Sequence, residues 1–592
     1  MKKTKKKKLS VAQRKANALK RNQRRMIVDM LANMGFDHIA GIDGKHFEFK
    51  DRKTEMDDIF IYRNLIVLVE YTTTDKPGEH LLNKDYFYRR VNEDKKAFIE
   101  LMLKDEQFSS FQSYYKQNLE RDYSNQELLI RILYCSKTDV SEEHNKVVNP
   151  KLENENVVIF DDRLVRYFSL NARSIKKTSR YEFFDYLNIP FDKIGLANAN
   201  STTTYSGYLL PEEKSRFSNG FKVLTFYIDA ETLLQRSNVF RQNSWRDVNK
   251  GTSYQRMVGP KKVNLMREYL FTEQRVFVNN IIGSISIDDL ELKYNNKYLD
   301  FDENGMIVNH RITEAVPVSI VIKDKCNIIR LIDGQHRTYS YYEGTDKYEE
   351  TIARQRKKQN LLLTIIVFPR RVNEIERTRF EARLFMEINT KQTNVEPNLT
   401  QEITCLLDPF STTAISKKVL SQLGLKNHSL VNRVLLNPLD TNKDLLKTAS
   451  IVSYGISPLI RIDTEKNDSI FSIWDYEHKD NLLSGEDYTA LQKYIDFCAN
   501  TIDELLSAIK ILLPLEAWTV SSKKNDKGKL SVTFINGIMN LLRLLIENKE
   551  TLGRDYYLIH LKDIASFDTK AYKSSQYRAM GQDIYTTFFG KE

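Results

Sequence analysis

Alternating apolar and helical patterns divide the first third of the chain into strands and helices. Strand-like segments lie at His46 to Phe49, Asp58 to Tyr62 and Leu65 to Glu70, with a turn expected at Asn64, and another follows at Leu128 to Cys135. The run that begins at Leu65 is continuously apolar, which is typical of a strand covered on both faces of a sheet. These segments predict one α/β unit.

Helical periodicity surrounds these strands. The apolar spacing of Met26 to Met34 predicts a short amphipathic helix that ends at Gly35. Longer helical patterns run from Lys84 to Lys104 and from Gln107 to Arg121. The polar stretch from 136 to 156 has no such period, so we predict a loop there.

A second group of strands begins beyond residues 196–217, where Asn, Ser and Thr favour turns and we place a domain boundary. Strands at Lys222 to Ile228, Val318 to Ile322, Ile328 to Ile332 and Leu361 to Phe368 predict a second α/β unit, and helical periodicity dominates the last third. The predicted fold class is multidomain α/β. Its expected parts are a basic arm (1–25), an α/β domain (26–195), a linker (196–217), a second α/β domain (218–400) and a mainly α region (401–592).

Length and composition agree with several folded domains. The 592 residues exceed one domain at roughly 100 to 200 residues each, and 41% of them are hydrophobic. No apolar run approaches the roughly 18 residues that a bilayer crossing needs. The Lys-rich start lacks the apolar stretch of a secretory signal, and the four cysteines form no Cys-x-x-Cys pair. We therefore expect a cytoplasmic protein without membrane partners.

The net charge of +11 is concentrated at one end of the chain. Residues 1–28 hold twelve of the 90 Lys and Arg residues and no Asp or Glu, which leaves 78 basic residues against 79 acidic ones in the rest. A polycationic arm favours contact with phosphates, and we expect DNA, although a solubilising tail has the same composition. The DNA-binding candidates are Lys5, Lys6, Lys7, Lys8, Arg14, Arg21, Arg24 and Arg25.

A polar, cationic cluster directly follows the strand predicted at Ile328 to Ile332. The sequence there is Asp333-Gly334-Gln335-His336-Arg337, an Asp-Gly turn that opens a predicted helix. Backbone N–H groups, Arg337 and His336 would converge on one point, which is how proteins hold a phosphate at a helix N-terminus. A tight turn whose arginine pairs with an acidic neighbour is the alternative.

This pentapeptide resembles the signature of DGQHR-domain proteins. These are similar to the DndB component of bacterial DNA phosphorothioation systems and, more distantly, to the ParB/sulfiredoxin superfamily, in which the turn grips nucleotide phosphates. Tyr254 to Arg256 and Asn279 to Ile282 upstream, and Phe385 to Gln392 downstream, also resemble family elements. The resemblance covers about residues 218–400 and implies a ParB/sulfiredoxin-like α/β fold.

The resemblance also implies roles for individual residues. Gly334 would allow close backbone approach, His336 and Arg337 would contact phosphate, and Asp333 would orient Arg337 or hold a divalent ion. Arg256 would be a second phosphate clamp or a surface ion-pair partner. A nucleoside triphosphate is an implied cofactor. The implied nucleotide- or phosphate-binding set is Arg256, Asp333, Gly334, Gln335, His336, Arg337, Asn389 and Gln392.

Acidic residues mark two adjacent predicted strands of the first α/β unit. Asp57 and Asp58 lie at the start of one strand, and Glu70 lies near the end of the next. Two carboxylates at neighbouring strand positions can hold Mg²⁺ and activate a water for phosphodiester cleavage. Acidic residues also occur at strand ends and turns for structural reasons alone, so both explanations stay open.

The elements around these carboxylates resemble the core of the PD-(D/E)xK, restriction-endonuclease-like nucleases, which implies Mg²⁺-dependent DNA cleavage. Asp57 would be the first metal ligand, with Asp58 as its alternative, and Glu70 the second. Thr72 stands where the family has Lys. Either Lys76 or Lys84 therefore takes that role, or the domain is inactive and only binds DNA, or the α/β fold is unrelated. The candidate catalytic set is Asp57, Asp58, Glu70, Lys76 and Lys84, with Asp57 and Glu70 as metal ligands.

Together these observations predict a bacterial DNA-processing protein of an antiphage defence or DNA-modification system. We expect DNA as its partner, together with other proteins of the system or further copies of the chain. The competing hypothesis is a non-enzymatic DNA-binding transcriptional regulator, as the DndB resemblance alone implies. The carboxylates on two strands favour the enzyme, and Thr72 favours the regulator.

Overall fold

The computed structural model shows a mixed α/β chain with several sheets, as predicted. Two compact units divide it: Met1–Val239 with Met257–Arg377, here unit 1, and Phe240–Arg256 with Thr378–Glu592, here unit 2. None of the helices in the described part of the chain is long and apolar enough to cross a membrane. The structure describes residues 11–150, 157–189, 193–195, 201–217, 219–239, 258–390, 397–425, 427–436, 444–521 and 527–590.

The first part of unit 1 contains a five-stranded mixed sheet in the order β1-β4-β5-β6-β7. β1, β4 and β5 pair antiparallel, whereas β5, β6 and β7 pair parallel. All eight residues of β5 are buried, as expected for a central strand with both faces covered. The strands are β1 (Asp37–Ile39), β2 (Phe47–Phe49), β3 (Arg52–Thr54), β4 (Asp58–Tyr62), β5 (Leu65–Thr72), β6 (Leu129–Ser136) and β7 (Val158–Asp161), with β2 and β3 forming a separate hairpin.

Helices flank this sheet and bury its apolar side chains. Ile59, Ile66 and Leu68 of the β4–β5 hairpin share one core with Leu81 and Phe98 of the helices that follow. This core fixes the position of the helix beginning at Pro77 relative to the hairpin. The helices are α1 (Val11–Asn33), α2 (Pro77–Glu93), α3 (Lys95–Lys104), α4 (Ser109–Asn118), α5 (Glu142–Val148), α6 (Asp162–Ile175) and α7 (Arg180–Tyr186).

The rest of unit 1 is built on a nine-stranded sheet in the order β10-β15-β11-β16-β9-β8-β14-β12-β13. Its strands are β8 (Thr202–Leu210), β9 (Lys222–Asp229), β10 (Ser237–Asn238), β11 (Ile281–Ser286), β12 (Leu290–Tyr294), β13 (Lys297–Tyr298), β14 (Val316–Lys323), β15 (Ile329–Asp333) and β16 (Asn360–Phe368). Its helices are α8 (Glu212–Ser215), α9 (Ala230–Arg236), α10 (Pro260–Glu273), α11 (Gln335–Tyr339) and α12 (Glu349–Lys358).

Unit 2 is helical in its described residues from Thr378 onward, apart from isolated bridges. One large apolar core joins its helices, and an unusual π-helical turn occupies Ile451–Ile456. The α-helices are Glu374–Thr390 (which begins in unit 1), Pro397–Leu407, Thr412–Leu423, Thr448–Ser450, Ser457–Ile460, Ile470–Ile473, Asn481–Ser484, Tyr488–Leu512, Val532–Glu547, Arg554–His560 and Tyr577–Phe588.

Three local predictions were wrong. The first helix begins at Val11 rather than Met26, because Ala, Lys, Arg and Gln are good helix formers and extend it beyond its first core residues. The predicted linker 196–217 contains β8, whose Thr and Tyr residues suit a strand and pair with β14 along its length. The predicted loop 136–156 contains α5, which Ser141 caps.

Candidate functional site

The β4–β5 hairpin brings Asp57 and Glu70 together. Asp58 pairs with Val69, so Asp57 lies opposite Glu70 one position beyond the last pair of the ladder. Residues opposite one another in an antiparallel pair point to the same face of the sheet. Both carboxylates are buried, and the charge of Asp57 acts directly on Glu70.

Asp57 is held by the backbone of the neighbouring strand. The Tyr71 N–H donates a hydrogen bond to Asp57 Oδ2 at 2.7 Å. Burial raises the pKa of Asp57 above its ordinary value, and the Tyr71 hydrogen bond and the charges of Lys20 and Lys84 oppose that rise. The carboxylate therefore has a fixed orientation and an environment that favours an added positive charge.

Glu70 carries the larger perturbation. Burial raises the pKa of its carboxyl to about 7, with the charge of Asp57 adding to the rise and Lys84 opposing it. Lys84 Nζ lies 3.0 Å from Glu70 Oε1, and His80 Nε2 lies 3.8 Å from the same oxygen. A buried titratable group with a specific charged partner is characteristic of functional sites, although structural ion pairs produce it too.

Of the two candidate lysines, Lys84 lies beside Glu70 and Lys76 does not. Lys84 lies in α2 with its side chain 16% exposed, and its Nζ also donates to the Glu55 carbonyl at 3.1 Å. Lys76 is 72% exposed and pairs with Glu79 at the start of the same helix. Thr72 is buried, and its carbonyl accepts a hydrogen bond from Gln23.

Asp58 points to the opposite face of β4 and does not join this cluster. Arg24 Nη2 and Nε donate to its two oxygens at 2.8 Å each, and His38 Nε2 lies 2.7 Å from Oδ1. Burial alone would raise the pKa of Asp58, but the hydrogen bonds from His38 and Arg24 outweigh it and lower the pKa. Asp58 is thus a structural ion-pair partner in this arrangement.

Three residues that contact or act on this site were not among the predicted catalytic residues. His80 lies one helical turn before Lys84, and its Nδ1 is 2.9 Å from the Tyr134 hydroxyl. Lys20 of α1 acts electrostatically on both Asp57 and His80. Gln23 donates to the carbonyls of Thr72 and Cys135 and so ties α1 to the ends of β5 and β6. Only the spacing of His80 and Lys84 by four residues could have suggested a shared helix face.

The donor set of this cluster fits a magnesium ion better than a transition metal. In the part of the chain that the structure describes, no group of three or more His, Cys, Asp or Glu side chains is arranged to hold a metal ion. Mg²⁺ is commonly bound through one or two carboxylates, with waters and substrate phosphates completing its shell. Asp57 and Glu70 supply two such carboxylates on one face.

The DGQHR segment forms a strand, a turn and a short helix. Gly334 has a φ of +94°, and a Cβ there would lie 2.9 Å from Ile281, so glycine is needed at this turn. Arg337 Nη2 donates to Asp333 Oδ2 at 2.8 Å and to the Asn280 carbonyl at 2.9 Å. Asp333 therefore orients Arg337. The helix α11 is only five residues long, so its dipole is weak.

The remaining residues of the implied phosphate-binding set are not all described as part of the DGQHR turn. Gln335 and His336 are half-buried, and Gln335 Oε1 is a buried atom without a hydrogen-bond partner among the described residues. Asn389 donates to the Phe385 carbonyl within its own helix, in unit 2. Arg256 and Gln392 lie outside the described residues.

The arm residues also differ in their placement. Lys5, Lys6, Lys7 and Lys8 lie outside the described residues, and Arg14 lies in α1. Arg21 and Arg25 are exposed on α1, whereas Arg24 is held by Asp58 and Asp43. Arg24 thus contributes to the fold rather than to a free cationic surface.

Comparison of the chain with known protein families, with curated proteins and with solved structures finds no match.

Proposed function

We propose that this chain is a DNA-binding, DNA-processing protein of a bacterial defence or DNA-modification system, with a metal-dependent nuclease domain. The observation that supports it best is the convergence of Asp57, Glu70 and Lys84 on one face of the sheet. The order of antiparallel hairpin, helix and parallel strand around them agrees with the PD-(D/E)xK resemblance.

In this proposal Asp57 and Glu70 hold Mg²⁺ and Lys84 stabilises negative charge. When bound there, Mg²⁺ would supply Lewis-acid chemistry, polarising a water and offsetting negative charge on a scissile phosphate. Lys84 takes the part of the lysine absent at Thr72, because its Nζ already contacts Glu70 at 3.0 Å. Burial and the charge of Lys84 lower the pKa of His80, which favours the neutral imidazole, the form that can accept a proton near the site.

A second candidate function is a DNA-binding regulator without catalysis. Two observations favour it: Thr72 cannot supply charge, and the Glu70–Lys84 ion pair partly compensates the buried carboxylate. In that case the buried charges serve the fold alone.

The DGQHR turn is proposed to bind a phosphate, as part of a nucleoside triphosphate or of DNA. Arg337 is pre-oriented by Asp333, and a charge-assisted contact of this kind contributes on the order of 1.5–3 kcal/mol. Arg337→Lys should therefore weaken binding of ATP, CTP, GTP or short DNA in calorimetry, while Arg354→Lys, an exposed arginine on α12, should not. Equal affinities of the two variants would reject the assignment.

Cleavage assays separate the nuclease from the regulator. Glu70→Ala should abolish cleavage in Mg²⁺ or Mn²⁺ and leave DNA affinity nearly intact, because affinity arises mainly from cations elsewhere. Glu79→Ala, which removes an exposed acid from the neighbouring helix α2, is the matched control. The substrates are unmodified DNA and phosphorothioate-modified DNA, with native partner proteins present. If wild-type protein cuts neither DNA while Glu70→Ala keeps full biological activity, the regulator stands and the nuclease does not.

A further inference from the structure

Two cavities in unit 1 meet at Arg173. The first, of about 610 Å³, is lined by α1 and α6 and includes Arg25, Asp29 and Arg173. The second, of about 680 Å³, is lined by the end of α6, by α10 and by residues 342–348. Because Arg173 lines both, the two cavities are adjacent, and we describe them together as the groove between the first α/β part of unit 1 and its nine-stranded sheet part.

Cations dominate the lining of this groove. Arg25, Arg173, Lys176, Lys261 and Lys347 contribute positive charge to it. Among the ion pairs of the described residues, none includes any of these five. Lys176 Nζ instead donates to Asn33 Oδ1 at 3.0 Å, and Arg173 Nε donates to the Ser169 carbonyl at 3.1 Å.

Two carboxylates in or near the groove are paired with arginine or lysine side chains. Asp346 lines the groove, and Arg267, whose side chain is fully buried, contacts its two oxygens at 2.9 and 3.0 Å. Glu343 is likewise paired with Lys177 and Arg180. Asp29 and Glu268 are the further acids of the lining. The groove therefore presents a net positive charge.

We infer that this groove binds the phosphodiester backbone of a nucleic acid. A concave surface with several uncompensated cations concentrates positive potential and attracts a linear polyanion. Tyr348 and the largely exposed Leu265 line the same cavity, so an unpaired base would also find apolar contacts there. The inference rests on the proposed DNA binding and specifies the surface that performs it.

The test compares two triple variants of the full chain. The groove variant carries Arg173→Gln, Lys261→Gln and Lys347→Gln, all at exposed positions. The control variant carries Lys104→Gln, Lys116→Gln and Arg121→Gln, three exposed cations that line neither cavity. Both lose the same charge. Affinity for labelled duplex and single-stranded DNA is measured by fluorescence anisotropy at several salt concentrations.

The groove variant should bind at least one form of DNA more weakly, with a salt slope shallower by about 2 to 3 if each lost cation contacts one phosphate. The control variant should keep nearly the wild-type slope. Equal behaviour of the two variants overturns the inference but leaves the proposed function standing. Absence of DNA binding by the wild-type protein instead contradicts the proposed function itself. Binding of a polyglutamate peptide is measured in the same way. If the groove variant loses peptide binding but keeps wild-type DNA binding, the inference is overturned in favour of an acidic protein partner.

Discussion

Glu70 is buried between a like charge, Asp57, and an opposite charge, Lys84. Without a further cation the two carboxylates repel each other, and one way to relieve this is to keep Glu70 protonated at neutral pH. A divalent ion between the carboxylates would relieve it differently, by replacing the proton. The same residue thus links the stability of the domain to its proposed chemistry.

Replacement of Glu70 by Gln should change how stability depends on pH. The pKa of Glu70 is about 7 in the folded state against an ordinary 4.5, so the folded state binds more protons in this window. The free energy of unfolding therefore falls as pH rises from about 4.5 to 7, by up to about 3 kcal/mol. Urea unfolding of metal-free Glu70→Gln should lack this loss. Glu79→Gln should keep it, and parallel curves for wild type and Glu70→Gln would contradict the burial of an ionisable Glu70.

Asp57 and Asp58 should differ in what their loss does. Asp58→Asn weakens the contacts of a buried carboxylate with Arg24 and His38, which should lower stability by about 1.5–3 kcal/mol, because Arg24 is partly exposed and keeps Asp43 as a partner. Asp57→Asn should lower stability less, because its main contact is one backbone hydrogen bond, but should abolish Mn²⁺ binding in calorimetry. If Asp58→Asn abolishes Mn²⁺ binding and Asp57→Asn causes the larger loss of stability, Asp58 is the metal ligand and Asp57 the structural residue.

At the level of elements, the sequence predicted the hairpin well and its surroundings poorly. β4 has the predicted bounds and β5 extends two residues further, because apolar runs between turn residues mark strands directly. The direction of Lys84 toward Glu70 depends on how α2 packs on the hairpin, and no local pattern shows that. The sequence therefore offered Lys76 and Lys84 as equal candidates for the role of the lysine absent at Thr72, beside the alternatives of an inactive domain and an unrelated fold.

Other elements were not predicted because their local composition differs from that of typical strands or helices, whereas their tertiary contacts determine the structure. The Thr-rich strand β8 is polar enough to resemble a linker, and its pairing with β14 and β9 decides its structure. The start of α1 is rich in Arg and Lys, yet Gln23 and Arg24 within the predicted arm hold α1 to the sheet. Tertiary contacts of this kind override local propensity.

The lysines of α2 provide a test at this scale. Lys84→Ala should lower the cleavage rate by about 100-fold or more, as loss of a preorganised charge-stabilising donor typically does. Lys76→Ala should have little effect, because its side chain faces solvent and pairs with Glu79. Single-turnover cleavage measures both rates. Wild-type rates for both variants would mean that neither lysine replaces the one absent at Thr72.

At the scale of the whole chain, the net positive charge arises from the first 28 residues, and within unit 1 the cations that line the groove around Arg173 outnumber its carboxylates. The remaining sequence is nearly neutral. Such a distribution favours binding of a polyanion along a limited surface rather than over the whole protein. It also predicts that the N-terminal lysines and the groove contribute separately to the salt dependence.

Replacement of the six lysines in residues 2–8 by Gln should weaken DNA binding and flatten its salt dependence. The change leaves Gln23 and Arg24 in place, whereas deletion through residue 25 would remove contacts that hold α1. Fluorescence anisotropy at several salt concentrations checks it. An unchanged affinity and slope would mean that these lysines form only a solubilising tail.

The most direct test of the proposed metal site is a crystal structure with Mn²⁺ in which anomalous scattering locates the ion. The proposed function predicts an anomalous peak between Asp57 and Glu70, with a carboxylate oxygen of each about 2.1 Å from the metal. It also predicts that the peak disappears in Asp57→Asn. A map without a peak there, with Glu70 still paired to Lys84 at saturating Mn²⁺, would contradict the metal site and with it the nuclease.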